Sequence, residues 1–236
     1  MILLVVDTAL DACAAAVVTT GGGDRTVVAE SETIGRGHAE RVMTVIGRAV
    51  DRAGIRLADV DAFAASVGPG SFTGIRVGVA AVRGFAVATG RPAIGVSSLD
   101  ALAREAAVVA PGRPILAVLD ARKDEVYTRA FAADLSALGP PSVVAVEIAA
   151  EEARRLGAVL VGSGAPLVAA RAPDLAVAGT QRFAAIETLA GLAADRLALG
   201  DRTPPAPLYV RAPDAKPQSA HRLARLTPSR PGEGGP

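Results

Sequence analysis

Four aspartates stand at matching places in two parts of the chain: Asp7 and Asp11 after the apolar run 2–6, and Asp120 and Asp124 after the apolar run 115–119. Carboxylates gathered at strand ends are what a two-metal nuclease or hydrolase uses. An aspartate in that position also caps a turn through its own side chain. A nuclease needs a further carboxylate on a neighbouring strand facing the same point. Asp61 at the start of its strand and Glu30 well along another are not placed to supply it, so turn capping is the stronger reading. Ser71 is no hydrolase nucleophile either, since the chain has no Gly-x-Ser-x-Gly and His221 lies in the C-terminal tail. Cys13, the single cysteine, sits in an apolar run without a candidate base and reads as a small buried hydrophobe. One cysteine excludes intramolecular disulfides and thiolate clusters. With only His38 and His221 as histidines, a zinc site is not expected, and a reducing cytoplasm fits. No residue is assigned a catalytic, cofactor-binding or metal-binding role.

The elements that carry these residues follow from periodicity. Runs 2–6, 12–19 and 26–33 read as a three-stranded meander, with Gly21-Gly22-Gly23-Asp24 supplying the positive φ angles of a hairpin turn. Residues 38–53 place Val42, Met43, Val45, Ile46, Ala49, Val50 and Ala53 at helical spacing, a stripe wider than one core face requires. A buried strand at 60–67 runs into Gly68-Pro69-Gly70-Ser71-Phe72-Thr73-Gly74, where Ser71 or Thr73 caps the next helix. That helix, 72–88, carries Gly74, Gly78, Ala80, Ala81, Gly84 and Ala88. A glycine in a helix interior costs about 1 kcal/mol against alanine, so several of them imply a closely approaching neighbour. A strand at 93–96 and a helix at 98–110 complete this part.

After the 111–114 break the pattern restarts about 113 residues on: an apolar run, Asp, three residues, Asp, and a second apolar run at 126–132. This predicts a duplicated domain, residues 1–111 and 112–213. The second part continues with strands at 142–146, 158–161 and 175–178 and helices at 149–156 and 183–199; Gly162-Ser163-Gly164 follows its third strand, and 208–210 forms a last docked segment. Recurring Pro, Gly, Ser and Arg predict a disordered basic tail over 214–236. Residues 211–236 hold five Lys/Arg against two acids, so the tail either contacts RNA or is simply solvated.

Composition sets the outer limits. Half of the 236 residues are apolar and 21% are charged, which suits a folded chain with a real core. Lys+Arg (25) nearly cancels Asp+Glu (24), and five Phe, two Tyr and no Trp leave little for unaided single-stranded nucleic-acid binding. The run 1–6 is broken by Asp7 with no basic residue before it, too short for a signal peptide or membrane span.

Val5-Val6-Asp7-Thr8, Gly37-His38-Ala39-Glu40, Gly68-Pro69-Gly70-Ser71-Phe72-Thr73-Gly74-Ile75-Arg76-Val77-Gly78, Gly95-Val96-Ser97-Ser98-Leu99, Leu119-Asp120-Ala121-Arg122 and Pro207-Leu208-Tyr209-Val210-Arg211 together resemble the TsaB (YeaZ) family. The resemblance implies an α/β fold of two RNase H-like halves, as in the actin, Hsp70 and sugar-kinase (ASKHA) superfamily, facing each other across a cleft. It implies a partner subunit in tRNA threonylcarbamoyladenosine synthesis that binds and stabilises the catalytic paralogue TsaD, helps recruit the ATPase TsaE and meets tRNA through the complex. Where TsaD carries two metal-binding histidines, the matching positions here are Ser98 and Leu102, and leucine has no lone pair for a metal. The turns 8–11 and 121–124 lack the glycine of phosphate-binding hairpins. The competing reading is an independent ATP-dependent enzyme of the same superfamily. In TsaB relatives the helices matching 38–53 and 72–88 pack against the equivalent pair of TsaD, or against a second copy when TsaD is missing. This puts the expected partner interface at Val42, Met43, Ile46, Val50, Gly78 and Val82, with no membrane partner.

Overall fold

Alternation of buried side chains makes both sheets two-sided. The computed structural model describes residues 1–211. In β1 (Ile2–Asp7) Leu3 and Val5 point to one apolar layer and Leu4 and Val6 to another. In β6 (Ile115–Arg122) Ile115, Ala117 and Leu119 face the layer shared with Leu3 and Val5, while Leu116 and Val118 face a third. Such period-two burial on both faces requires helices on each side of each sheet.

The first sheet also contains β2 (Ala12–Gly21), β3 (Asp24–Thr33), β4 (Ala62–Gly68) and β5 (Ala93–Ser97), in the order β3-β2-β1-β4-β5. The second contains β7 (Glu125–Phe131), β8 (Ser142–Ala145), β9 (Val159–Val161) and β10 (Val177–Gly179), in the order β10-β9-β6-β7-β8. Numbered within each half, the two orders are identical. In both, two antiparallel pairings are followed by parallel ones. The fold is the duplicated α/β architecture that the repeated Asp-x-x-x-Asp pattern predicts.

Helices α1 (His38–Arg52) and α2 (Phe72–Thr89) cover the outer face of the first sheet. α4 (Val146–Leu156) and α5 (Ala165–Arg171) cover the outer face of the second. Between the sheets lie α3 (Ser98–Val109) and α6 (Ile186–Ala198), whose Leu99, Leu102, Ile186 and Leu189 are buried in the shared layer. α6 follows the second sheet in sequence yet packs on β1, β2, β3 and β5 of the first. Glu105 of α3 secures its start, accepting from the Ala185 N–H (2.7 Å) and the Thr188 hydroxyl (3.0 Å). Arg196 secures its end by donating to the Gly95 carbonyl at 2.6 Å.

The sequence pattern does not reveal α5, a helix of seven residues with Pro166 in its first turn; two turns are too few for periodicity to show. Beyond α6 the chain stays with the first sheet, where the Leu208 N–H donates to the Val67 carbonyl (2.9 Å), as expected for a docked 208–210 segment. The tail read at 214–236 lies outside the described residues.

Candidate functional site

The Gly-Pro-Gly-Ser-Phe-Thr-Gly string joins β4 to α2, and its glycines are there because the turn after β1 leaves no room for side chains. A Cβ on Gly70 would lie 2.1 Å from the Ala9 carbonyl oxygen, and one on Gly74 2.1 Å from that of Thr8. A Cβ on Gly78 would meet the Thr8 hydroxyl at 2.6 Å. Helix and turn therefore touch backbone to backbone. The Ser71 N–H donates to the Ala9 carbonyl (2.6 Å), and the Thr8 hydroxyl donates to the Gly74 carbonyl (2.7 Å). Of the two caps the sequence allows, Ser71 is used: its hydroxyl accepts from the Gly74 N–H at 3.2 Å.

The second half repeats the device. A Cβ on Gly162 would lie 2.4 Å from the Val118 carbonyl oxygen, and the Gly164 N–H donates to that oxygen at 3.1 Å. Asp7 accepts from the Ala9 N–H (2.9 Å) and Asp120 from the Arg122 N–H (2.8 Å), the same two-residue side-chain turn in each half. Burial pushes the Asp7 carboxyl above the usual carboxylate range, against the lowering effect of the Ser66 hydroxyl that donates to it.

Between the halves lies a cleft of about 590 Å³, lined by Asp11, Ser71, Asp120, Arg122, Ser163 and Arg182 among others. Its carboxylates are spoken for. Asp11 pairs with Arg182 across the mouth (2.7 Å), and Asp120 accepts from the Arg122 backbone while its own N–H donates to the Ser163 hydroxyl (3.1 Å). Among the described residues no three His, Cys, Asp or Glu side chains come together as a metal site. At the hairpin 121–124, Arg122, Lys123 and Asp124 all adopt positive φ, strained for side-chain-bearing residues. Cys13 is fully buried on β2, and burial followed by the nearby Glu32 and Asp7 pushes its thiol up to about 11, so it stays protonated. His38 opens α1, buried, with no hydrogen-bond partner at Nε2 among the described residues. Ser98 and Leu102 lie buried on α3 between the sheets.

The helix pair is the other candidate site, and here the residue expectations need correction. Val42, Ile46, Val50 and Val82 are buried in the layer between the helices and the first sheet, and Gly78 faces Thr8. All five are consumed by the monomer's own core. The i, i+3, i+4, i+7 spacing of α1 is one face, toward the sheet, and only Met43 of the six lies outside, 56% exposed. The outward arc of α2 is instead Thr73, Arg76, Val77, Ala80, Arg83, Gly84, Val87 and Ala88, all exposed except the partly buried Val77. Helical spacing identifies this arc once the buried set Gly74, Ile75, Gly78, Val79 and Val82 is known. Phe72–Thr89 is apolar enough, with a mean hydropathy of 1.2 over 18 residues, to meet the length and composition of a membrane span, yet only 28% of it is buried. A Cβ on Gly84, or on the half-buried Gly47 of α1, would meet nothing within 4 Å.

Comparison with known proteins gives four likenesses. A family model described as TsaD, tRNA N6-adenosine threonylcarbamoyltransferase, matches residues 29–139. The chain is 34% identical over 170 residues to the tRNA threonylcarbamoyladenosine biosynthesis protein TsaB of Escherichia coli, covering 70% of this chain and 72% of that one. It is 35% identical over 229 residues to an uncharacterized protein of Mycobacterium tuberculosis, covering 91% and 94% of the two. Among solved structures, YeaZ from Pseudomonas aeruginosa superposes with a TM-score of 0.74 at 31% identity, over 88% of this chain and 99% of that one.

Proposed function

This chain belongs to the TsaB (YeaZ) family of tRNA threonylcarbamoyladenosine biosynthesis proteins, and we propose that its part in that process is a scaffold's, binding and stabilising TsaD and helping to recruit the ATPase TsaE in the cytoplasm. The TsaD complex transfers a threonylcarbamoyl group to the adenosine beside the anticodon of tRNAs reading codons that begin with A. The observation that carries this reading is the outward arc of α2. Ala80, Gly84, Val87 and Ala88, edged by the exposed Arg76 and Arg83, give a helix face of small and apolar residues that the described residues leave uncovered. Small residues let a second helix approach closely, and apolar area repays its desolvation. The docking residues are therefore Met43, Val77, Ala80, Gly84, Val87 and Ala88, on the same two helices as expected, with Met43 retained and the α2 residues on its outward face. A second copy of the chain would use the same face when TsaD is absent.

The ATP-dependent alternative gains little from the cleft. Ser71, whose N–H a phosphate at the start of α2 would meet, already donates to Ala9, and the Gly74 N–H already donates to Ser71. The test is reconstituted threonylcarbamoyl transfer to tRNA with TsaD and TsaE, with and without this chain. Transfer is expected to require the chain and to survive Arg182→Ala and Ser163→Ala in the cleft. Loss of transfer in those variants with the complex intact would assign chemistry to this subunit instead.

A further inference from the structure

Only seven aromatic residues occur in the chain, yet two of them, Phe72 and Tyr209, meet where the C-terminal segment crosses between the halves. Phe72 and Tyr209 are half-exposed, 55% and 56%, with ring centroids 5.9 Å apart. The Arg76 guanidinium lies 3.4 Å over the Phe72 ring and 5.5 Å from the Tyr209 ring, and its Nε donates to the Tyr209 hydroxyl (3.0 Å). Two residues on, Arg211 pairs with Glu125 and lies 5.9 Å from the Tyr127 ring. Arg76 forms no ion pair among the described residues.

We propose that Phe72, Arg76 and Tyr209 form a stacking platform for an unpaired stretch of RNA, which would make this chain a direct RNA contact. Unpaired bases stack on aromatic rings and on guanidinium planes, and arginine meets the phosphates between them. Arginine and aromatic residues also mark protein interfaces. What favours RNA is charge: Arg76 has no carboxylate partner among the described residues, and the sequence after Arg211 adds four Lys/Arg against two acids. The platform is set in the first turns of α2, where Ser71 lines the cleft, one turn before Ala80 on the arc proposed to meet TsaD. The inference goes beyond the scaffold reading and does not depend on it.

The experiment is fluorescence anisotropy of the full chain, alone and mixed with TsaD, against a labelled single-stranded oligoribonucleotide and an unmodified tRNA transcript. Phe72→Leu and Tyr209→Leu keep apolar bulk and remove the π face, and each is expected to weaken binding at least about five-fold. Arg76→Gln is expected to flatten the dependence of log K on log salt by about 0.7 for a single strand. Ala88→Glu, three turns beyond Arg76 on the docking arc, is expected to leave RNA affinity unchanged, so a failed TsaD complex does not obscure the readout. Circular dichroism identifies any variant that fails to fold, and Phe72→Tyr, which keeps a ring, should retain binding. RNA affinity equal to wild type in folded Leu variants, or no RNA affinity in either sample, overturns the proposal. So does loss of TsaE binding with RNA affinity intact, which would make the patch a protein dock.

Discussion

Gly84 sits in the middle of α2 on its solvent face, with open space where a side chain would be. For the monomer this is a cost without a return, since Gly to Ala at an exposed helix interior gains about 0.8–1.0 kcal/mol. Gly84→Ala should therefore raise the melting temperature by roughly 2–4 °C in a domain of this size. If a TsaD helix packs on the arc, the same methyl enters a closely packed seam. Overpacking costs about 1–3 kcal/mol, which is roughly 5- to 150-fold in affinity. The two effects have opposite signs, and that is the point of the substitution. Differential scanning calorimetry on the isolated chain gives the first, and titration calorimetry against TsaD the second. A variant that is more stable and binds TsaD as tightly as wild type would refute the claim that the glycine is kept for a partner's approach. A variant less stable on its own would show an intramolecular reason for it.

Gly74→Ala has the reverse monomer phenotype. Its Cβ at 2.1 Å from the Thr8 carbonyl oxygen has only backbone to push against, so a loss of about 2 kcal/mol or more by chemical denaturation is expected. Cys13, buried and pushed up to about 11, should resist iodoacetamide at pH 8 in the folded chain and react once urea unfolds it, as mass spectrometry would show. Asp201 is held down to about 2, chiefly by the Thr203 N–H (2.8 Å) with further help from Arg196. A carboxylate with a depressed folded pKa contributes stability above its unfolded value and loses it as pH falls. Asp201→Asn is expected to cost about 1 kcal/mol at pH 7 after solvent screening, a gap that closes between about pH 4 and pH 2. A gap unchanged at pH 2 would remove the charge from the explanation.

The duplicated framework was legible because both signals are local. Alternating burial in β1 and β6 and the Asp at each strand end, which turns the chain through its own side chain, stand in consecutive residues. The signature string was also legible as a tight turn with close approach, and the structure supplies the neighbour, Thr8 and Ala9, about sixty residues earlier. What the sequence could not give was which side of a helix faces inward. Val42, Ile46 and Val50 satisfy a docking stripe and a core stripe equally well, and only the sheet beneath α1 decides between them. The same limit applies to Gly78 and Gly84, six residues apart in one helix: the first touches Thr8 and the second touches nothing. α6 returning to the first sheet, and Phe72, Arg76 and Tyr209 meeting, are long-range facts with no local signature.

The central claim is that the outward arc of α2 docks TsaD. Its most direct test is size exclusion with light scattering on this chain mixed with TsaD from the same organism, comparing wild type with Ala80→Glu. Ala80 is exposed, so a charge there is tolerated by the monomer. The account predicts a one-to-one complex for wild type, formed at the expense of any homodimer, and separate peaks for the variant. An Ala80→Glu chain that assembles with TsaD as wild type does, or a wild-type chain that does not assemble at all, would contradict it.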